Sequence, residues 1–227
     1  MGANKAAFLD RDGTIVVGLD HIRSADELRF INGSGEALKL FGAAGYLLVI
    51  VSNQGGVALG AFSRRDLQEM DVRLREMVSD LGLKLAGTYY CTDRPDSGCS
   101  CRKPEPGLAL AAAEELDIDL SSSWVIGDKT SDVMLGSNIG CRSALVLTGK
   151  AGNDGRFEVE ADLTGADLLE CARIITGTEC ARSRQRARPD AQSADASPAG
   201  TTDSPRATVT REIPTRSQSP RPGPAGK

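Results

Sequence analysis

Two aspartates stand two residues apart in Phe8-Leu9-Asp10-Arg11-Asp12-Gly13-Thr14, directly after a short apolar run. A carboxylate can attack phosphorus, but a phosphate monoester is a dianion and repels it, so a divalent cation must take up part of the charge. Mg²⁺ suits that task, since it binds through one or two carboxylates, water and phosphate oxygens. Asp10 can act as both metal ligand and nucleophile. Asp12 can protonate the leaving oxygen and later activate water against an aspartyl-phosphate. Alone, an Asp-x-Asp-Gly loop reads as readily as a plain turn or a calcium loop.

Three further segments offer matching chemistry. Val51-Ser52-Asn53-Gln54-Gly55-Gly56 puts a hydroxyl and free backbone N–H groups after an apolar run, and glycine lets that backbone approach a phosphate. Cys101-Arg102-Lys103-Pro104 holds two adjacent cations, a guanidinium fork and a compact ammonium. Ile126-Gly127-Asp128-Lys129-Thr130-Ser131-Asp132 supplies a second acidic cluster, with Asp128 as a second metal carboxylate. Each has an ordinary alternative: a strand-to-helix turn, a solvated basic pair, a helix N-terminus capped by acids.

The elements between these segments must bring them together. Ala6–Leu9, Tyr46–Val51, Ala86–Tyr90, Trp124–Ile126 and Ala144–Leu147 read as buried strands. Gly35–Ala44, a helix capped by Ser63 and reaching about Leu81, Gly107–Leu116, Ser131–Asn138 and Thr164–Ile175 read as helices. Strand and helix alternate, which predicts an α/β fold: a doubly wound parallel sheet with helices on both faces. Asp10, Ser52 and Asp128 then lie at or just past strand ends, where such sheets bind ligands.

Taken in order, the four segments resemble the haloacid dehalogenase-like (HAD) phosphatase superfamily, over about Ala6 to Gly149. The resemblance implies a Rossmann-like HAD core with Asp10 as nucleophile, Asp12 as general acid/base and Lys103 as stabiliser of phosphate and intermediate. It implies Mg²⁺ on Asp10, the Asp12 carbonyl and Asp128, with Asp132 orienting Lys103 or the metal's surroundings. Within the superfamily, Phe8 to Ile15, Ser52 to Ala58, Cys101 to Pro104 and Gly127 to Lys129 look like the D,D-heptose 1,7-bisphosphate phosphatase and histidinol-phosphatase subfamily. That closer likeness implies no large cap domain, a small phosphorylated sugar as substrate, and release of the heptose 7-phosphate. Alternatives are histidinol phosphate, another small sugar phosphate, or a silent phosphate-binding scaffold. It assigns substrate contacts to Ser52, Asn53, Gln54, Gly55, Arg102, Lys103 and Lys129, and implicates the loop Gly18–His21, whose residues differ from the subfamily's. Cys91, Asp93, Cys99 and Cys101 resemble its structural zinc loop, with Asp93 in place of a histidine. Three thiolates and a carboxylate can hold Zn²⁺ tetrahedrally, and the other reading is a degenerate loop that binds zinc weakly or not at all.

Composition bounds the rest. The 227 residues are 40% hydrophobic with a formal charge of −4, which suits one domain with a core and an appendage. Three of the six cysteines crowd into Cys91–Cys101, a spacing that favours metal over disulfides. Residues 1–176 read as the catalytic domain. Residues 177–227 read as a disordered basic Pro/Ser/Arg-rich tail: from Ala181 on there are nine Lys/Arg, four Asp/Glu and seven of the ten prolines. The basic residues are scattered without aromatics, so no nucleic-acid partner is expected. No apolar run is long enough for a bilayer, and only Ala6–Leu9 separates Lys5 from Asp10, too few for a signal peptide. A cytoplasmic monomer, with no membrane partner, is the expectation.

Overall fold

The computed structural model describes residues 3–18 and 22–186, with side chains described as far as Gly177. Six parallel strands form one sheet in the order β3-β2-β1-β4-β5-β6. They are β1 (Lys5–Leu9), β2 (Tyr46–Asn53), β3 (Leu85–Cys91), β4 (Trp124–Gly127), β5 (Arg142–Val146) and β6 (Leu163–Gly165). The helices are α1 (Ser34–Ala43), α2 (Arg64–Ser79), α3 (Gly107–Glu115), α4 (Thr130–Ile139) and α5 (Leu168–Arg186).

The uninterrupted apolar runs become strands covered on both sides. Ala7, Leu9, Leu48 and Ile50 are buried with residues of α1, α2 and α5. Their alternates Ala6, Phe8, Val49 and Val51 are buried with residues of α3 and α4. Successive strand residues point to opposite faces, so a run without polar gaps can be satisfied only between two layers. Helix α2 starts where its capping box predicts. The Asp66 N–H donates to Ser63 Oγ at 3.1 Å, and the Ser63 N–H donates to Asp66 Oδ2 at 2.7 Å. Its stripe of Leu67, Met70, Leu74, Met77 and Val78 is buried.

Two elements differ from the sequence reading. Leu163–Gly165 is a sixth strand pairing with β5, and helix α5 begins only at Leu168. Three residues are too few to show a period of two, and Asp167 ends the strand by capping the helix: its Oδ1 accepts the Glu170 N–H at 2.8 Å. Strand β2 also runs on through Ser52 to Asn53, so Ser52 lies within the last rungs of the strand. The α5 backbone continues to Arg186, past the composition boundary at Thr176. Residues 187–227 of the basic segment lie outside the described residues. So do Leu19, Asp20 and His21, most of the loop implicated in substrate contact.

The strand order explains the position of the site. The chain winds outward from β1 to β3, then crosses back to β4 on the other side of β1 and winds outward again. Connections leave β1 and β4 in opposite directions, which opens a crevice at their carboxyl ends. Leu9 pairs with both Ile50 and Ile126, so Asp10 sits one step beyond a shared rung, between β2 and β4. Between Thr14 and α1 the described chain makes a short flap, in which Val17 N donates to Arg29 O at 2.9 Å and Ile31 N to Ile15 O at 2.9 Å. Among the described residues, no interval holds a further domain that could cover the site.

Candidate active site

Asp10 is 4% exposed, and each of its carboxylate oxygens meets a cation. Oδ1 accepts from Ser52 Oγ at 2.7 Å and lies 3.0 Å from Lys103 Nζ, while Oδ2 lies 2.9 Å from Lys129 Nζ. Burial works against the charge, but the two ammonium groups outweigh it and hold Asp10 far below the usual carboxylate range. Asp10 is therefore an anion, as a nucleophile must be.

Lys103 is buried and fully committed. Its three protons have three acceptors: Asp10 Oδ1 at 3.0 Å, Asp132 Oδ1 at 2.6 Å and the Val51 carbonyl at 2.7 Å. Burial disfavours its charge, yet Asp10 and Asp132 raise its pKa above that of an ordinary lysine. Asn53 fixes its backbone from both sides, accepting the Lys103 N–H at 2.9 Å and donating to the Lys103 carbonyl at 3.1 Å. Asp132 also caps α4, where its Oδ2 accepts the Lys129 N–H at 3.2 Å.

Asp12 sits at the mouth, 18% exposed at its side chain. Arg11, wholly buried, grips it with Nε on Oδ1 at 2.6 Å and an Nη on Oδ2 at 2.9 Å. Gln54 ties this pair to the nucleophile's neighbour. Its Nε2 donates to Asp12 Oδ2 and to Ser52 Oγ, both at 3.0 Å, and its Oε1 accepts from Arg11 at 3.1 Å. Behind Arg11 lies the Tyr90 ring, 5.9 Å from the guanidinium carbon, with the Tyr90 hydroxyl donating to Asp71 at 2.8 Å. Sequence reasoning missed Arg11, because a cation between two acids reads as a solvated residue unless its burial is known.

Asp128 closes the acidic cluster. Its Oδ1 takes Lys129 Nζ at 2.8 Å and its Oδ2 the Lys150 N–H at 2.7 Å. Burial, followed by the charge of Asp10, pushes its carboxyl up to about 6. Carboxylate oxygens of Asp10, Asp128 and Asp132 lie within 4.8 Å of one another. The donors are hard oxygens, and with Asp132 held by Lys103, Asp10 and Asp128 supply the two carboxylates that Mg²⁺ takes. A stand-in supports the fit: the Lys129 ammonium touches Asp10 Oδ2, Asp128 Oδ1 and, at 3.5 Å, the Asp12 carbonyl. Those are the three groups named from the sequence for Mg²⁺. The backbone is cut to fit as well. A Cβ on Gly13 or Gly149, both at positive φ, would strike the Asp128 carboxylate.

Above the cluster is a cavity of about 340 Å³. Ser52, Asn53, Arg102, Lys103 and Lys129 line it as the sequence reading expects, together with Gly18, whereas Gln54 and Gly55 do not. Gln54 is 2% exposed and spent on its neighbours. At Gly55 a Cβ would come within 3.0 Å of an Arg102 nitrogen, so this glycine makes room for the guanidinium. The far wall is a loop after β5 that carries no motif and went unnoticed in the sequence. It contributes Lys150, Asp154 and Arg156. Four groups of the catalytic segments hold that loop: Thr148 Oγ1 on the Gly13 carbonyl at 2.7 Å, Lys150 N on Asp128, Gly152 N on the Asp128 carbonyl at 2.8 Å, and Thr130 N on Asp154 at 2.9 Å.

The cysteine cluster assembles in the chain between the end of β3 and Arg102. Cys101 Sγ lies 2.9 Å from Cys91 Sγ, 3.2 Å from Cys99 Sγ and 3.8 Å from Asp93 Oδ2, and all four ligand atoms fall within 4.8 Å of one another. Tetrahedral Zn–S bonds of 2.3 Å place sulfurs about 3.8 Å apart, so the cluster needs only a small expansion to hold an ion. Burial raises the Cys91 thiol to about 11, and a thiolate there calls for a cation.

Comparison with known proteins bears on the family and the fold. The family model described as HAD-hydrolase-like matches residues 100–171. The D-glycero-beta-D-manno-heptose-1,7-bisphosphate 7-phosphatase of Pasteurella multocida is 40% identical over 181 residues, covering 76% of this chain and 97% of the relative. Its counterpart in Haemophilus ducreyi is 41% identical over 182 residues, covering 75% and 98%. Among solved structures, the D,D-heptose 1,7-bisphosphate phosphatase of B. bronchiseptica, complexed with magnesium and phosphate, superposes with a TM-score of 0.71 at 29% identity, covering 77% of this chain and 99% of that one. The chain belongs to the D-glycero-beta-D-manno-heptose-1,7-bisphosphate 7-phosphatase family of HAD-like hydrolases.

Proposed function

We propose that this protein is a Mg²⁺-dependent phosphomonoester hydrolase that releases the 7-phosphate of D-glycero-beta-D-manno-heptose 1,7-bisphosphate through an aspartyl-phosphate on Asp10. The observation that carries the reading is the convergence of Asp10, Asp12, Ser52, Lys103 and Asp128 beneath one cavity. Mg²⁺, held by Asp10, Asp128 and the Asp12 carbonyl, would supply charge neutralisation at the phosphoryl oxygens. Asp10 attacks phosphorus, and the bond from phosphorus to the sugar oxygen breaks. Asp12 gives that oxygen its proton, then as a carboxylate takes a proton from water. The water oxygen attacks phosphorus, freeing phosphate and restoring Asp10. Lys103 and Ser52 hold the nucleophile and oppose the negative charge that builds on the phosphoryl group. Arg11 and Gln54 fix the direction in which Asp12 presents its oxygens.

A bisphosphate suits the walls. Arg102, Lys150 and Arg156 face the cavity with no carboxylate partner among the described residues, and two buried Arg102 nitrogens lack any partner. Such a surplus of cation favours a substrate with a second anionic group. A panel comparing the heptose bisphosphate with histidinol phosphate is the test. The expected result is at least about a hundredfold higher kcat/KM for the bisphosphate, worth roughly 2.7 kcal/mol of differential transition-state binding. Preference for histidinol phosphate would move the assignment to that substrate.

Zn²⁺ fits Cys91, Asp93, Cys99 and Cys101 as a closed structural site. Its place is directly before Arg102 and Lys103, so an ion there would pin the loop that presents both cations. Purified protein should contain close to one zinc per chain, and Cys101→Ser should lose most of it. Metal analysis checks both, and wild-type protein free of zinc would leave the loop held by its own packing. No helix among the described residues is long and apolar enough to cross a membrane. We read the protein as a cytoplasmic monomer acting on a soluble sugar phosphate.

A further inference from the structure

The geometry points to Lys129 as a resident counter-ion that holds the metal's three oxygens until a divalent cation takes them and then swings to the substrate phosphate. The inference rests on reading the Asp10–Asp128 cluster as the metal site. The two buried-cluster lysines are built differently. Lys103 is 3% exposed and saturated by three fixed acceptors, one of them a backbone carbonyl. Lys129 is 32% exposed at its side chain, lines the cavity, and puts its ammonium 2.9 Å from Asp10 Oδ2, 2.8 Å from Asp128 Oδ1 and 3.5 Å from the Asp12 carbonyl. Its backbone is anchored at the α4 N-terminus by Asp132, so the four-carbon stem alone is free to move.

Mg²⁺ binds oxygen at about 2.0–2.1 Å, and an ammonium bonded to the same three oxygens fills the same space. The two cations are therefore alternatives. While Lys129 is in place, both oxygens of Asp10 are engaged, Oδ1 by Ser52 and Lys103 and Oδ2 by Lys129. The nucleophile is then neutralised without being activated, and three crowded carboxylates are kept from repelling one another. Displacement delivers the ammonium to the cavity just as the metal makes phosphate binding favourable. One side chain thereby links metal loading to substrate binding.

The test uses the full chain without substrate. An amine-acylating ester is applied with and without saturating Mg²⁺, and peptide mass spectrometry follows modification of Lys129, while calorimetry measures Mg²⁺ binding independently. The exchange requires several-fold faster acylation of Lys129 in Mg²⁺, because a released lysine regains ordinary reactivity. It also requires Lys129→Met to bind Mg²⁺ about tenfold or more tightly than wild type, with a larger Mg²⁺-induced rise in Tm, since one competitor is gone. Unchanged or slower acylation in protein that calorimetry shows to bind Mg²⁺ overturns the exchange and leaves the metal site standing. No Mg²⁺ binding by wild type overturns both. Should Lys129→Met fail to fold, the acylation measurement on wild type still decides.

Discussion

Asp10→Asn is expected to lower kcat by at least about 10⁴-fold, the scale on which removing a covalent nucleophile acts, with the fold intact. The amide keeps the size of the carboxylate but offers no anion to phosphorus. Charge counting explains why the protein should still fold. Asp10, Asp128 and Asp132 face Lys103 and Lys129, a local balance of three negative charges to two positive. Removing the Asp10 charge brings the cluster to neutrality and strands neither lysine. Lys103 keeps Asp132 and the Val51 carbonyl, and Lys129 keeps Asp128. Circular dichroism and thermal melting should therefore match wild type within a few degrees. Acid-quenched wild-type enzyme should carry a phosphoryl adduct on the Asp10 peptide that the variant lacks. Turnover retained by a folded Asp10→Asn protein would sink the nucleophile assignment.

The sequence carried much of this because three of the four catalytic segments are tied to strand ends. Apolar runs announce strands buried on both faces, and alternation with helices settles their direction. The polar residues at their carboxyl ends then have one place to converge. What stayed hidden depends on pairing across long sequence separations. Arg11 becomes a positioning group only when Asp12, Gln54 and Tyr90 are seen around it, from three different elements. Lys150, Asp154 and Arg156 sit in a loop whose shape comes from hydrogen bonds to Gly13, Asp128 and Thr130, none of them legible from neighbouring residues. Gln54 and Gly55, expected at the substrate, also hold Asp12 and give room to Arg102, roles that only their surroundings reveal. Strand β6 was missed for a plainer reason, since three residues carry too little pattern.

Lys103→Met should do what Asp10→Asn does not, and cost stability together with activity. The substitution leaves three carboxylates facing one ammonium. Asp132 and Asp10 are 1% and 4% exposed, so water cannot take the place of the lost cation. Breaking a buried pair from one side costs about 3–5 kcal/mol, because the remaining charge is uncompensated. For a domain of this size that corresponds to a fall in Tm of roughly 10 °C. The deficit should depend on pH with a definite sign. Burial already raises the Asp132 carboxyl above its ordinary pKa, and loss of Lys103 removes its main opposing influence. A carboxyl whose folded pKa exceeds its unfolded one binds its proton more readily in the folded state, so stability falls as pH rises through that interval. The variant should thus lie closer to wild type in mild acid than above neutrality, as urea denaturation at the two pH values would read. Adding Asp132→Asn to Lys103→Met restores the wild-type local charge, two carboxylates against Lys129, and should recover much of the lost stability. It should not recover turnover, since no cation then stands at Asp10 Oδ1. A double variant as active as wild type would show that Lys103 serves only to balance Asp132, and the role of Lys103 in phosphoryl transfer would have to be abandoned.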